Sequence, residues 1–205
     1  MPRKFAILEP LAIFGLIMGS IWILRAGRPI LWAATLGLMV ASHWLRGESA
    51  GMLGFGTQNF RRLVREFAPP GLLLGLLLVA GGILLGTIRP VGLEGALVAL
   101  AAYLPWGLLQ QYMLNGYFLN RFDALIPRRA AVMLTAALFC GAHAPNWFLM
   151  GVTLAGGYVS ALVYRQHRNL YFLGLAHAIA GFLVFLVVPD SISHHLRVGP
   201  GWFEW

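Results

Sequence analysis

A handful of polar side chains stand inside otherwise apolar runs of this chain. Gln110, Gln111 and Asn115 fall in one run, and His143 closes the next, followed by Pro145 and Asn146. His177 lies in the last run, with Gly181 four residues on, and Glu9 lies near the start of the first. A polar group in a bilayer costs a few kcal/mol unless it is satisfied, so such residues are the candidates for function. An imidazole can accept a proton near neutral pH, whereas an amide cannot. His143 and His177, with the amides at compatible depth, can therefore form a polar site in which an imidazole acts as the base, with buried structural hydrogen bonding as the alternative. Gln111 and Asn115 stand four apart, on one helix face, where they can bond to each other. Interhelical hydrogen bonding is the alternative use for that pair.

Carboxylates are scarce. Glu94 and Asp123 lie about 24 Å and about 20 Å from Gln110 along an ideal helix, too far to assist it. Glu9 is the carboxylate inside another apolar run and is a possible rescue base, unless it snorkels to the interface. Cys140 precedes His143 by three residues, but a small buried hydrophobe is the preferred reading over a thiol nucleophile. His143 and His177 would give a metal two ordinary ligands, short of the three or four that zinc takes, so neither metal nor other cofactor is expected.

The elements that must carry these residues follow from composition. The chain has 205 residues, 59% hydrophobic and 11% charged, with mean hydropathy +0.75. A soluble domain carries roughly 25% charged residues, so a soluble enzyme, a disordered tail and a secreted disulfide scaffold are excluded. An all-α, polytopic membrane bundle is expected, as a single membrane domain over residues 1–205. Apolar runs predict seven spans, near Phe5–Leu24, Pro29–Leu45, Gly71–Ile88, Val91–Phe118, Arg129–Ala144, Trp147–Tyr164 and Tyr171–Val188. Phe60, Leu63, Val64 and Phe67 recur at helical spacing, predicting an amphipathic helix on the inner leaflet, stopped by Pro69-Pro70. His43, His167, His194 and His195 read as interfacial, and the Gly201–Trp205 end as an aromatic anchor.

The net charge of +8 is a loop property rather than a sign of nucleic-acid binding. With the N-terminus inside, 11 Lys and Arg residues face inward and 4 outward. That asymmetry predicts a cytoplasmic-membrane protein with its N-terminus cytoplasmic and its C-terminus outside. Helical rise puts Gln110, His143 and His177 at compatible depths, so one polar pocket can hold all three.

The run Gln110-Gln111-Tyr112-Met113-Leu114-Asn115-Gly116 resembles the EExxxRG motif of the CAAX protease and bacteriocin-processing family (CPBP, or Abi). Phe139-Cys140-Gly141-Ala142-His143 resembles its FxxxH motif, and His177-Ala178-Ile179-Ala180-Gly181 its HxxxN motif. Order and spacing agree, over a CPBP-like core of about 91–188. The family includes type II CAAX prenyl endopeptidases and lysostaphin-resistance proteins. The resemblance implies an intramembrane protease in which the first glutamate and the FxxxH histidine activate water. It implies that the second histidine and the asparagine stabilise the oxyanion.

This chain departs from those motifs. Gln110 and Gln111 replace both glutamates, Asn115 the arginine and Gly181 the asparagine. Replacing both members of a buried ion pair avoids stranding one charge, which would cost about 3–5 kcal/mol. The resemblance therefore implies an endopeptidase-like protein of CAAX-processing type, with weakened or altered catalysis. His143, His177 and Gln110 would be catalytic, with Gln111, Asn115, Asn146 and Gly181 in support. Its partners would be a membrane-embedded or lipidated peptide and the lipid bilayer, with no nucleic acid. A non-catalytic pseudoprotease, or an immunity or partner-binding membrane protein, is the alternative, and a small transporter subunit the third.

Overall fold

The computed structural model describes residues 6–22 and 28–204. The charges at Arg3, Lys4 and Arg25 and the terminal Trp205 lie outside the described residues. The chain folds into helices α1 (Leu8–Trp22), α2 (Arg28–Leu45), α3 (Phe60–Leu85) and α4 (Leu93–Gln111). A π-helix, Tyr112–Leu119, continues α4 into the short α5 (Asn120–Asp123). Then come α6 (Arg128–Gly141), α7 (Trp147–His167), α8 (Leu170–Val187) and α9 (Asp190–Ser193), followed by two 3₁₀ turns, His194–Leu196 and Gly199–Phe203. It is an all-helical bundle, and among the described residues there are no strands.

Among the described residues, four stretches are long and apolar enough to cross a membrane: Phe60–Leu85, Leu93–Asp123, Trp147–His167 and Leu170–Val187. Leu8–Trp22 and Pro29–Leu45 are shorter apolar helices. The leucines of α3, from Leu72 to Leu77 and at Leu84 and Leu85, are exposed on the outside of the bundle. In water such a face would be unstable, but against lipid tails it is at home. The chain is an integral membrane protein.

Among the described residues, helix ends and loops gather at two ends of the bundle. At one end Arg121 binds Glu48, Asn59 donates to the His167 carbonyl and Asn169 donates to the Gly56 carbonyl. At the other, Arg89 forks onto Asp190, and the Gly199 N–H donates to the Ala144 carbonyl. The first end gathers Arg46, Arg61, Arg62, Arg65, Arg121, Arg128, Arg129, Arg165 and Arg168 and is the basic end.

The expected stop at Pro69-Pro70 does not occur. Both prolines sit inside α3, which runs unbroken from Phe60 to Leu85. Proline's φ already suits a helix, and the carbonyls it leaves unpaired lie on an exposed stretch. The apolar face of residues 60–67 packs on protein rather than on the leaflet. Leu63 is fully buried, and Phe60 and Phe67 meet Phe172 edge-on or tilted.

His43 also departs from its expected interfacial place. It is 4% exposed, within a cluster in which Arg121 donates to Glu48 through both terminal nitrogens, at 2.8 and 2.9 Å. Burial would raise the Glu48 carboxyl, but hydrogen bonds from Arg121 and His43 hold it below the ordinary carboxylate value. The cluster ties α1, α2 and the α2–α3 loop to the end of the long fourth span. At the other end Trp202 stacks on His194 with ring centroids 3.6 Å apart, and Gly199 packs against Ile21.

Candidate active site

The pairing of α4 with α8 sets the site. Small residues bring these two helices into backbone contact, as in other membrane helix pairs. A Cβ at Gly107 would lie 2.7 Å from the Gly174 carbonyl oxygen and 2.9 Å from the Ala178 nitrogen. A Cβ at Gly174 would lie 2.8 Å from the Leu108 Cα. One turn beyond Gly107 stands Gln111, and between Gly174 and Ala178 stands His177. The Gln111 amide nitrogen donates to His177 Nδ1 at 3.1 Å.

Asn115, fully buried, donates from its amide to Gln111 Oε1 at 2.6 Å, as the four-residue spacing suggested. It also donates to Ser160 Oγ on α7 at 3.3 Å, and the Ser160 hydroxyl donates to the Gly157 carbonyl at 3.1 Å. The result is a chain of uncharged groups, His177–Gln111–Asn115–Ser160, that joins three helices. Its direction matters. Gln111 Oε1 accepts from Asn115, so its nitrogen is the end that meets His177. His177 Nδ1 is then the accepting nitrogen, and the neutral ring carries its hydrogen on Nε2.

α6 ends at Gly141, and His143 lies in the turn before α7. Its Nδ1 lies 2.7 Å from the Phe139 carbonyl. A carbonyl can only accept, so Nδ1 carries the hydrogen and Nε2 keeps the lone pair. The Phe139 ring touches both histidines, its centroid 4.9 Å from that of His143 and 5.9 Å from that of His177. The imidazoles thus share one phenyl neighbour and carry opposite tautomers: His143 presents an acceptor at Nε2 and His177 a donor.

Gln110 is 9% exposed and lies one residue before the bonded Gln111. The hydrogen bond to His177 comes from Gln111 and not from Gln110. Asn146 is fully buried, but its groups are consumed elsewhere. Its oxygen caps α7 at Leu149, and its nitrogen donates to the Ser193 and Arg197 carbonyls. It fastens the C-terminal turns to the bundle. Glu9 accepts hydrogen bonds from Ser42, Arg46 and, at 3.0 Å, Tyr117, and pairs with Arg121 at 3.4 Å. A carboxylate held by so many donors is a structural anion at the basic end.

At Gly181 a Cβ would lie 3.0 and 3.1 Å from two ring carbons of Tyr103. The Tyr103 ring therefore occupies the side-chain space beside the position that the HxxxN motif gives to asparagine. Sequence reasoning passed over Ser160 and Tyr103 as ordinary apolar-span residues. It also passed over the π-helix, which begins immediately after Gln111 and holds Asn115; π-helical turns inside α-helices are frequent at functional sites. The small residues at 107, 174 and 178 were the available signal for the helix contact.

The family model described as type II CAAX prenyl endopeptidase Rce1-like matches residues 92–183. Over this stretch the chain is similar to that family. No curated protein and no solved structure matches the chain. The matched Rce1-like stretch begins just before α4 and runs into α8, so it holds the helix pair, the π-helix, both histidines and the amide chain. Helices α1 to α3 lie before it.

Proposed function

We propose that this Rce1-like chain is an intramembrane endopeptidase that cleaves a membrane-associated peptide slowly, through a site without a carboxylate base. The observation that carries the reading is the pair of opposite tautomers beside Phe139. His143 Nε2 would take a proton from water as the water oxygen bonds to the scissile carbonyl carbon. His177, hydrogen-bonded to Gln111 through Nδ1, would donate from Nε2 to the developing oxyanion. The His143 imidazolium would then return its proton to the leaving amine as the C–N bond breaks. Gln110, an amide, supplies no base. The substrate class, a peptide at the membrane and of the lipidated kind that the family's name describes, follows from the family and from the intramembrane site. The basic end would face the cytoplasm, which puts the N-terminus inside and the C-terminus outside.

A second reading has its own observation. Tyr103 fills the space beside Gly181, so the site lacks both the glutamates and room for the asparagine of the motifs. On that reading the protein binds a membrane peptide and does not cut it.

One experiment separates the two. The native protein, Gln110→Glu, His143→Ala and the His143–His177 double alanine variant would be reconstituted with a candidate membrane peptide and followed by mass spectrometry. The enzyme reading expects native cleavage that His143→Ala abolishes in a folded protein. It also expects Gln110→Glu to raise the rate by about 10²–10⁴-fold, the usual contribution of general acid–base catalysis. The binding reading expects peptide capture without cleavage, unaffected by His143→Ala. Native cleavage that survives loss of both histidines would defeat each version of this site.

A further inference from the structure

A second polar site lies at the basic end, outside the histidine site. A cavity there is lined by Asn120, Asp123, Arg128, Tyr164, Arg165 and Arg168. We propose that this cavity binds a phosphate group. Its arginines come from two stretches of chain that are distant in sequence: Arg128 opens α6, while Arg165 and Arg168 flank the end of α7.

The charges are unbalanced. Arg165 pairs with Asp123 at 3.1 Å, and Asp123 is the carboxylate of the cavity lining. Arg168 spends one N–H on the Met52 carbonyl at 2.8 Å and lies over the Tyr164 ring at 5.8 Å. That contact orients the guanidinium while most of its five donors remain. Arg128 makes no ion pair among the described residues. Two positive charges are thus in excess around one small polar hollow.

Phosphate suits this chemistry. Guanidinium groups meet phosphate oxygens through paired, charge-assisted hydrogen bonds. Basic pockets between membrane helices on the cytoplasmic side are suited to lipid head groups. The arginines of α3 differ. Arg61, Arg62 and Arg65 lie along one exposed face, and Arg62 pairs with Glu66 at 3.9 Å on the same helix. The phosphate could belong to a lipid head group or be free in solution. The chemistry is shared, and the test distinguishes the two.

The full chain in neutral detergent would be titrated with phosphatidic acid, phosphatidylcholine and inorganic phosphate, with binding read by native mass spectrometry. Phosphatidic acid should bind over phosphatidylcholine. Arg128→Gln and Arg168→Gln should each weaken it about fivefold, the equivalent of about 1 kcal/mol per arginine near the surface. The control Arg61→Gln with Arg62→Gln should leave it unchanged. Competition by inorganic phosphate would make free phosphate a source, and lipid binding without competition would assign the site to a head group. Asp123→Asn removes the opposing carboxylate and should tighten binding, which keeps the test open if an arginine variant fails to fold. Equal loss in the α3 control, weaker binding in Asp123→Asn, or no binding of either phosphate would overturn the proposal.

Discussion

Gly107→Ala tests whether the α4–α8 contact holds the histidine site together. The added methyl would lie 2.7 Å from the Gly174 carbonyl oxygen and 2.9 Å from the Ala178 nitrogen. Both neighbours are backbone, so no rotamer change can relieve them. Restoring an ordinary contact of 3.4 Å from 2.7 Å requires the helices to part by about 0.7 Å. The Gln111–His177 hydrogen bond is 3.1 Å long and one turn away. The same separation there would carry it past the 3.5 Å limit of a useful bond. The expected loss is about 1–3 kcal/mol from overpacking, with about 0.6 kcal/mol more from the interhelical hydrogen bond. Reversible unfolding in mixed detergent micelles would measure the loss, and ¹⁵N NMR of the labelled imidazoles would report the His177 tautomer. Gly151→Ala is the matched control, because nothing lies within 4 Å of a Cβ there. Equal stability of the two variants, with the His177 nitrogen signals unchanged, would refute the argument.

Three other outcomes are expected. Gln111→Glu and Asn115→Arg should each destabilise by about 3–5 kcal/mol, since each strands a charge among buried amides, and the double variant should lose less than the sum by about 0.5–3 kcal/mol; a strictly additive pair in the same unfolding assay would refute the linked-pair account. Hydrogen bonds from Arg89 hold the Asp190 carboxyl below its ordinary value, with His195 Nδ1 3.0 Å from the oxygen that Arg89 Nη1 also meets. The tether this provides is fully present above the unfolded aspartate value of about 3.9 and is lost as pH falls through the lower folded value, so hydrogen exchange in α9 should quicken only below about pH 4, and Asp190→Asn should remove the step. Reporter fusions after Arg128 and at the C-terminus should fall on opposite sides of the membrane; both on one side would overturn the expected path of the spans.

The amino-acid sequence by itself determined the solvent. With 59% hydrophobic residues and 11% charged, the chain belongs in lipid, and its long continuous apolar runs satisfy their backbone there as helices. The order of the three motifs also picked out His143, His177 and the amides of residues 110–115, because a polar group in an apolar run is conspicuous without any structure. The register of one helix against another was not legible. Whether Gln110 or Gln111 meets His177 depends on how closely Gly107 and Gly174 bring their backbones together and on how the helix turns where it becomes π-helical. His43 was misplaced for a related reason. Its partner Arg121 lies 78 residues along the chain, and helical periodicity reports which face a residue occupies but not what is packed against it. Pro69 and Pro70 read as a stop because a missing N–H and a fixed φ usually end a helix. The tertiary structure carried α3 through them, since packing of Leu63 and Phe67 on one side of the prolines and lipid-facing leucines on the other outweigh two lost hydrogen bonds near the basic end.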